Sequence, residues 1–310
     1  MLSVTEIIPS DNIHAEETRA NLKRLKELTK GLEGWEETDD QSGVKLYHQP
    51  DASIPLVRGD TLLLTKDLPP GCTPLAVATV ATLPGCRRIW DEKFDESKVL
   101  EYYSRYESLF WVKLKAPWPI SPRDFAGTSI RDVGENTVYC SMVSVKDETI
   151  PDTSGAVRGQ LLVSGWKLSQ LAGEEGIGIT YVNQVDLAGY IPGAFLKKLL
   201  LQIPLCAGKV RDYIMTHGFV PTTTVIQNDR LVEFKGEEFH HEEKKYTLQM
   251  SVQGTDASTH TVCSQRMYPD GIQVELKGEA EITQSVDTHG NALVHLSHIK
   301  GLIQLCITKK

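Results

Sequence analysis

The side chains best suited to chemistry in this sequence are nine histidines and six cysteines. His240 and His241 are adjacent, and His295 and His298 are three positions apart. On strands both pairs would point to opposite faces, so neither pair could chelate a metal easily. The cysteines show no CxxC pair and no histidine at metal-site spacing; they are Cys72, Cys86, Cys140, Cys206, Cys263 and Cys306. We therefore expect no metal site and reduced thiols that pack as small apolar side chains.

Catalytic and nucleotide-binding motifs are equally missing from the sequence. It holds no GxSxG, no HExxH, no P-loop and no GxGxxG after a strand. The acidic run at 237–243 is most simply a solvated loop or sheet edge. The net charge of −8 and the pI near 5.6 argue against nucleic acid as a partner, although a local basic patch could still meet a membrane. We expect no cofactor.

Targeting signals and membrane spans are not visible either. The sequence begins without the basic and apolar regions of a signal peptide. The longest apolar stretch, at 199–207, is too short to cross a bilayer and contains Pro204. These features predict a cytoplasmic protein whose contact with membranes is transient and peripheral.

Hydrophobic periodicity predicts the elements that must carry any site, in an α+β arrangement. Residues 96–187 read as strands with turn signals every 8–12 residues, which favours one strongly curved antiparallel sheet. A long helix follows and is apolar on nearly every side near residues 199–206, with a kink expected at Pro204. The other predicted elements are a helix over 15–32, strands at 35–40, 44–49 and 55–65, a helix pair over 75–90 broken at 84–85, the long helix over 193–216, and strands throughout 222–310.

The order of these elements places an apolar helix across a curved sheet. A helix that is apolar on several sides must bury more than one face. Such an arrangement ends either in a filled core or in a ligand cavity, and the pattern alone leaves both open.

Four segments taken together resemble the START domain, the StAR-related lipid-transfer family. They are GCRRIWDEKF (85–94), APWPISPRDF (116–125), VRGQLLVSGWKLSQL (157–171) and ITYVNQVDLAGYIPGAFLKKLL (179–200). The similarity covers about residues 14–218, in the family's order. It implies a helix-grip fold, in which a curved antiparallel sheet and a long C-terminal lid helix enclose an apolar tunnel for one lipid. Residues 1–221 would then form the lipid-binding domain, and 222–310 a β-rich extension or small domain.

The resemblance also assigns roles to individual residues. Trp118 and Pro119 lie in the loop that the family uses as part of its gate, and a buried core position for Trp118 is the alternative. Arg123 and Asp124 follow that loop, and Arg158 matches a basic position before a later strand; all three are expected to be structural. Sterol-binding members bury an acid and an arginine on the strands that flank this loop, where this sequence has Phe110 and Ser129. A simple copy of their sterol site is therefore not expected, although Ser129 could still give one hydrogen bond.

Strand alternation and the resemblance together predict the residues that line the tunnel. Lys113 and Lys115 should face water, which turns the residues between and before them inward. The expected lipid-binding residues are Phe110, Val112, Leu114, Ser129, Phe195, Leu199 and Ile203.

The expected function is therefore non-catalytic: the protein binds one hydrophobic lipid, such as a sterol or a phospholipid, and transfers or presents it between membranes. One alternative is an enzyme, since the wider helix-grip superfamily includes cyclases and hydrolases. Another is a lipid-sensing adaptor that recruits a protein partner through residues 222–310. That segment either packs on the lipid domain as extra strands or forms a separate module.

Overall fold

The computed structural model describes residues 11–152, 155–227, 232–254 and 257–310. The helices are α1 (Ala15–Leu28), α2 (Pro74–Thr82), α3 (Pro84–Trp90), α4 (Gly193–Gln202) and α5 (Cys206–His217), with a 3-10 turn at Ala172–Glu174. The first-sheet strands are β1 (Glu36–Gln41), β2 (Val44–Gln49), β3 (Leu56–Leu64), β4 (Phe94–Tyr102), β5 (Glu107–Leu114), β6 (Arg123–Val133), β7 (Thr137–Val143), β8 (Val157–Arg158), β9 (Gln160–Gln170) and β10 (Gly176–Asp186). The second-sheet strands are β11 (Thr222–Gln227), β12 (Val232–His240), β13 (Lys245–Val252), β14 (Ser258–Cys263), β15 (Ile272–Val286) and β16 (Ala292–Lys309).

The two sheets are built almost entirely from antiparallel neighbours. The first runs in the order β1-β2-β3-β10-β9-β7-β6-β5-β4, and short β8 pairs in parallel with β6. The second runs in the order β11-β14-β16-β13-β12, with β15 along the other side of β16. β3 and β10 are therefore direct neighbours although more than 100 residues separate them. The strands between them belong to the same sheet, and the helices inserted between β3 and β4 pack over it.

Helix α1 covers one face of the first sheet, where it contacts β6, β7 and β9. Leu22 and Leu25 are buried there at the helical spacing that the sequence showed. The helix ends at Leu28 rather than at Leu32, whose side chain is 48 % exposed. The Thr29 hydroxyl donates to the Leu25 carbonyl at 2.8 Å and helps close the last turn.

Helices α2, α3 and α5 lie between the two sheets. α2 contacts β7 and β9 of the first sheet and β11 of the second, and α3 contacts β12. The sequence of α2, PLAVATVAT, is apolar on all sides, as a helix covered on two sides requires. The Thr73 side chain caps it by accepting from the Ala76 amide at 3.2 Å, and Pro74 occupies the first turn. A Cβ at Gly85 would lie 1.6 Å from the Phe239 carbonyl oxygen, so only glycine permits this approach of α3 to β12.

The predicted long helix over 193–216 is two helices. α4 ends at Gln202 and α5 begins at Cys206, because Pro204 lacks the amide that would continue the hydrogen-bond ladder. The expectation that the apolar stretch before Pro204 buries several faces is wrong. Leu199, Leu200 and Ile203 are only half-buried and Leu201 is 47 % exposed, whereas the buried residues of this region lie in α5.

A histidine at the junction of α5 and the second sheet should make stability depend on pH. His241 Nδ1 lies 2.7 Å from the Tyr213 hydroxyl, and its Nε2 lies 3.0 Å from Lys244 Nζ. Burial, the Lys244 charge and the His217 charge lower the pKa of His241 to about 4. As pH falls from about 6.5, the usual histidine pKa, the unfolded chain takes up a proton that the folded chain refuses, so the free energy of unfolding falls.

The expected result is a melting temperature that drops more steeply between about pH 7 and about pH 5 in the wild type than in His241→Gln. Thermal unfolding at matched ionic strength measures it. Parallel pH profiles of the two proteins would contradict this role for His241. His240→Gln is the matched control, because His240 is exposed and its neighbour Glu238 lies 3.9 Å away.

Candidate functional site

A cavity of about 330 Å³ lies between one face of the first sheet and the helices α3, α4 and α5. Strands β4, β5, β6, β7, β9 and β10 all contribute to its wall. The junction of α4 and α5 contributes Gln202, Ile203, Cys206 and Lys209. Phe234 and Glu237 also line it, so the second sheet takes part in the wall through β12.

One part of the wall is strongly apolar. Phe94, Val112, Phe125 and Leu161 form a buried cluster, against which further half-buried side chains pack. Those half-buried side chains are Phe110, Leu114, Met142, Val185 and Leu187. Such a surface recognises a ligand by excluding water rather than by specific bonds.

The residues predicted from sequence divide into three groups in the structure. Phe110, Val112, Leu114, Ser129 and Ile203 line the cavity. Leu199 is half-buried on α4 and is not among the described lining residues. Phe195 lies in α4, and its side chain is outside the described part of the structure.

A row of five side chains, four of them polar, crosses the apolar wall. Strand register aligns Ser108 with Ser129, Ser129 with Met142, Met142 with Ser164 and Ser164 with Asn183. All five residues line the cavity. The Ser108 and Ser129 hydroxyls are 2.9 Å apart, so the hydrogen bond foreseen for Ser129 is made to a neighbouring strand.

The other end of this row carries a cluster that sequence reasoning missed. Asn183 Nδ2 donates to Ser164 Oγ at 3.1 Å and to Tyr181 Oη at 3.1 Å. The Tyr181 ring stacks on Trp166 with centroids 4.3 Å apart. Burial, and then the nearby Cys206, raise the pKa of Tyr181 to about 12, so its hydroxyl stays protonated. Alternation along β10 was the available signal, because it puts Tyr181, Asn183 and Val185 on one face.

Basic side chains from α3 and α5 border the same end of the cavity. Arg87 pairs with Asp91 across one helical turn at 3.0 Å. Lys93 and Lys209 also line the cavity, and burial lowers the pKa of Lys93. Among the described residues, no cluster of three or more His, Cys, Asp or Glu side chains could hold a metal ion.

The loop between β5 and β6 exposes its tryptophan. The Trp118 side chain is 91 % exposed, so the alternative of a core tryptophan is wrong. Pro119 follows it, and the Ile120 amide donates to the Pro117 carbonyl at 2.9 Å. Tyr190, on the loop that leads into α4, is 88 % exposed.

Arg123 joins these two loops. Its guanidinium donates to the Ser121 carbonyl at 2.5 Å and to the Leu187 and Ala188 carbonyls at 3.1 Å each. Arg123 is 6 % exposed and burial lowers its pKa. A single side chain therefore fixes the end of the β5–β6 loop against the segment that precedes α4.

Asp124 and Arg158 form an ion pair away from the cavity lining. Asp124 Oδ2 lies 2.7 Å from Arg158 Nη2, and Arg158 Nε donates to the same oxygen at 2.8 Å. Trp111 Nε1 also donates to it at 2.8 Å. The Asp124 side chain is fully buried, whereas that of Arg158 is 37 % exposed. These contacts tie β5, β6 and β8 together beside the loop.

Comparison with known proteins agrees with this architecture. The START domain family model matches residues 16–204. The structure of human StAR-related lipid transfer protein 5 is 18 % identical, with a TM-score of 0.58, and the match covers 65 % of this chain and 96 % of that one. Human STARD10 is 20 % identical, with a TM-score of 0.55, and the match covers 68 % of this chain and 81 % of that one. Both confirm the helix-grip prediction. No curated protein sequence matches.

Proposed function

The chain belongs to the START domain family, and on that premise we propose that it binds a single lipid in the described cavity and transfers or presents it between membranes. The observation that carries the proposal is the apolar wall of Phe110, Val112 and Leu114 in a cavity that the junction of α4 and α5 also lines. Each lipid methylene taken out of water there contributes about 0.8 kcal/mol. Binding of this kind needs no reacting side chain, so we propose a carrier rather than an enzyme.

The two exposed aromatic side chains support a route for the lipid. Trp118 and Tyr190 lie on the loops that Arg123 holds together, next to α4. Tryptophan and tyrosine favour the boundary between membrane and water, because their rings are apolar and carry one polar group. We propose that these loops meet the bilayer and that the lipid passes between them and α4. In the described ranges no helix is long and apolar enough to cross a membrane. We propose the cytoplasm as the compartment, where its six free thiols would stay reduced.

The proposed carrier function is tested by extracting the full-length protein with organic solvent after purification and identifying bound lipid by mass spectrometry. Delipidated protein is then incubated with vesicles of defined composition and analysed again. We expect about one lipid molecule per chain. An empty protein that also takes up no lipid from vesicles would refute the function.

Trp118→Ala should slow lipid transfer between vesicles by several-fold while it leaves equilibrium binding and melting temperature nearly unchanged. An exposed side chain contributes little to folding, but its loss weakens contact with the bilayer interface. Transfer of a fluorescent lipid from donor to acceptor vesicles measures the rate. Val286→Ala is the control, because Val286 is also an exposed apolar residue, 68 % exposed, but lies on the second sheet. Equal slowing in both variants, or none in Trp118→Ala, would contradict the route.

A further inference from the structure

The hydrogen bonds of the Asn183 cluster can be counted atom by atom. Both Asn183 Nδ2 hydrogens are used, one on Ser164 Oγ and one on Tyr181 Oη. The two hydroxyl oxygens are 3.2 Å apart, so one hydroxyl donates to the other and the second keeps a free hydrogen. Asn183 Oδ1 is buried and has no hydrogen-bond partner in the part of the chain that the structure describes.

The cluster therefore offers one unused acceptor and one unused donor within a few ångströms of each other. Asn183 and Ser164 are 6 % and 3 % exposed, and all three residues line the cavity. A buried polar atom without a partner is costly, so native structures normally satisfy such atoms with water, an ion or a ligand. The place for that partner is inside the cavity.

The chemistry of the partner follows from this pairing. An alcohol hydroxyl donates one hydrogen bond and accepts another, which matches both free groups. An ether or ester oxygen only accepts, and would leave Asn183 Oδ1 unpaired. A carboxylate also only accepts, and would place its charge beside that oxygen. A hydrocarbon satisfies neither group.

The size of the cavity limits the rest of the ligand. Its volume of about 330 Å³ lies near the lower end of the range of roughly 300–1,000 Å³ for small-molecule pockets. A cavity of about 150 Å³ already holds benzene. One ring system or one acyl chain fits this scale better than a lipid with two long chains.

We propose that Asn183, Ser164 and Tyr181 form a hydroxyl-recognition subsite, and that the ligand is an apolar alcohol with a single ring system or a single chain. The proposal rests on the lipid-carrier function and names the class of lipid. It does not use Phe110 or Ser129, the positions at which the sequence analysis compared this chain with a sterol site. The three side chains come from β9 and β10 alone.

Two pairs of fluorescent probes test the subsite on the delipidated full chain. One pair is a conjugated tetraene sterol with a 3β-hydroxyl and its methyl ether; the other is an 18-carbon polyene alcohol and its methyl ether. We expect the wild type to bind the alcohol of at least one pair about tenfold more tightly than the ether, because the ether leaves a buried acceptor unpaired. The pair with the higher affinity identifies the skeleton.

The variants assign this preference to named atoms. Asn183→Leu keeps approximate volume and removes the acceptor, so it should reduce the alcohol preference to about twofold or less while ether affinity changes little. Tyr181→Phe keeps the stacked ring and the acceptor Asn183 Oδ1, so it should keep the preference. Circular dichroism confirms folding. Ser169→Ala is the control, because Ser169 and Thr137 form a similar hydroxyl pair at 3.2 Å outside the cavity lining; it should keep the full preference.

The possible failures are distinguishable. Equal affinity of alcohol and ether in the wild type, or an undiminished preference in Asn183→Leu, would overturn the subsite and leave the carrier function intact. A bound natural lipid without a hydroxyl group would do the same. A protein that binds neither probe pair and yields no lipid on extraction would overturn the carrier function and the subsite together.

Discussion

A chain that ends at Pro221 should lose cooperative unfolding and accumulate as aggregated or partly folded protein. Helices α2, α3 and α5 and the inner face of the second sheet belong to one continuous buried cluster. Tyr246, Leu305 and Ile307 on that sheet are fully buried, and so are Val77 and Ile214 on the helices. Truncation would remove the sheet and expose the helix faces beneath it.

The expected loss is large compared with the stability of a single domain. Burial of one large apolar side chain contributes about 1.5–3 kcal/mol, and the total stability of a domain is about 5–15 kcal/mol. Exposure of Val77 and Ile214 alone, the two of these side chains that the truncated chain retains, would therefore cost about 3–6 kcal/mol. Differential scanning calorimetry of the purified truncated and full-length chains measures this, with a chain that begins at Asp11 as the control for shortening.

Two results for the truncated chain would contradict this prediction or refine it. A truncated chain that is soluble, unfolds in one transition and binds lipid would show that residues 222–310 are a separate module, which is one of the two alternatives that the sequence left open. A truncated chain that folds but is empty would show that β12, which brings Phe234 and Glu237 to the cavity, is needed for binding.

Arg158→Ala should lower the free energy of unfolding by about 3 kcal/mol. Removal of one partner of a buried ion pair costs roughly 3–5 kcal/mol, because the other charge stays buried without its counterion. The carboxylate of Asp124 is fully buried and would lose two hydrogen bonds to the guanidinium. We take the lower end of the range because Arg158 is partly exposed.

The double variant Arg158→Met with Asp124→Asn separates charge from shape. It removes both charges and keeps an oxygen for Trp111 Nε1, so it should recover at least half of the loss. Urea titration of the wild type, the single variants Arg158→Met and Asp124→Asn, and the double variant completes the double-mutant cycle. Lys30→Ala, which breaks an exposed pair with Glu27 at 2.9 Å, is the control and should cost no more than about 0.5 kcal/mol. If Arg158→Ala also lowered the free energy of unfolding by no more than about 0.5 kcal/mol, the structural role of the Asp124–Arg158 pair would be contradicted.

Much of the local structure follows from the sequence, because its causes are local. Alternation along β5 turned Phe110, Val112 and Leu114 to one face, and the structure places all three on the cavity wall. Pro84 began a new helix where the sequence required a break. The sequence of α2 is apolar on all sides, which also agrees with its position between two sheets.

Contacts between distant segments were decided only by the tertiary structure. Arg123 is visible in the sequence, but its three carbonyl partners come from two loops more than 60 residues apart. The row from Ser108 to Asn183 depends on the register of five strands, and a shift of one residue in any strand would turn its side chain to the other face. Leu199 was assigned to the lining from the resemblance and the helix pattern, whereas it is not among the described residues that line the cavity.

The sequence by itself determined the family, the element order and the apolar character of the wall, because hydrophobic periodicity and short motifs are properties of neighbouring residues. Only the tertiary structure decided which polar atoms in the cavity lack partners and where the second sheet lies. Asn183 Oδ1 is an unpaired acceptor because no donor of the described residues reaches it, while its amide hydrogens go to Ser164 and Tyr181; β9 and β10 must pair before those atoms meet. Hydrogen-bond partners depend on the positions of atoms in space. The sequence therefore identifies the polar groups, whereas the fold determines which of them remain available to a ligand.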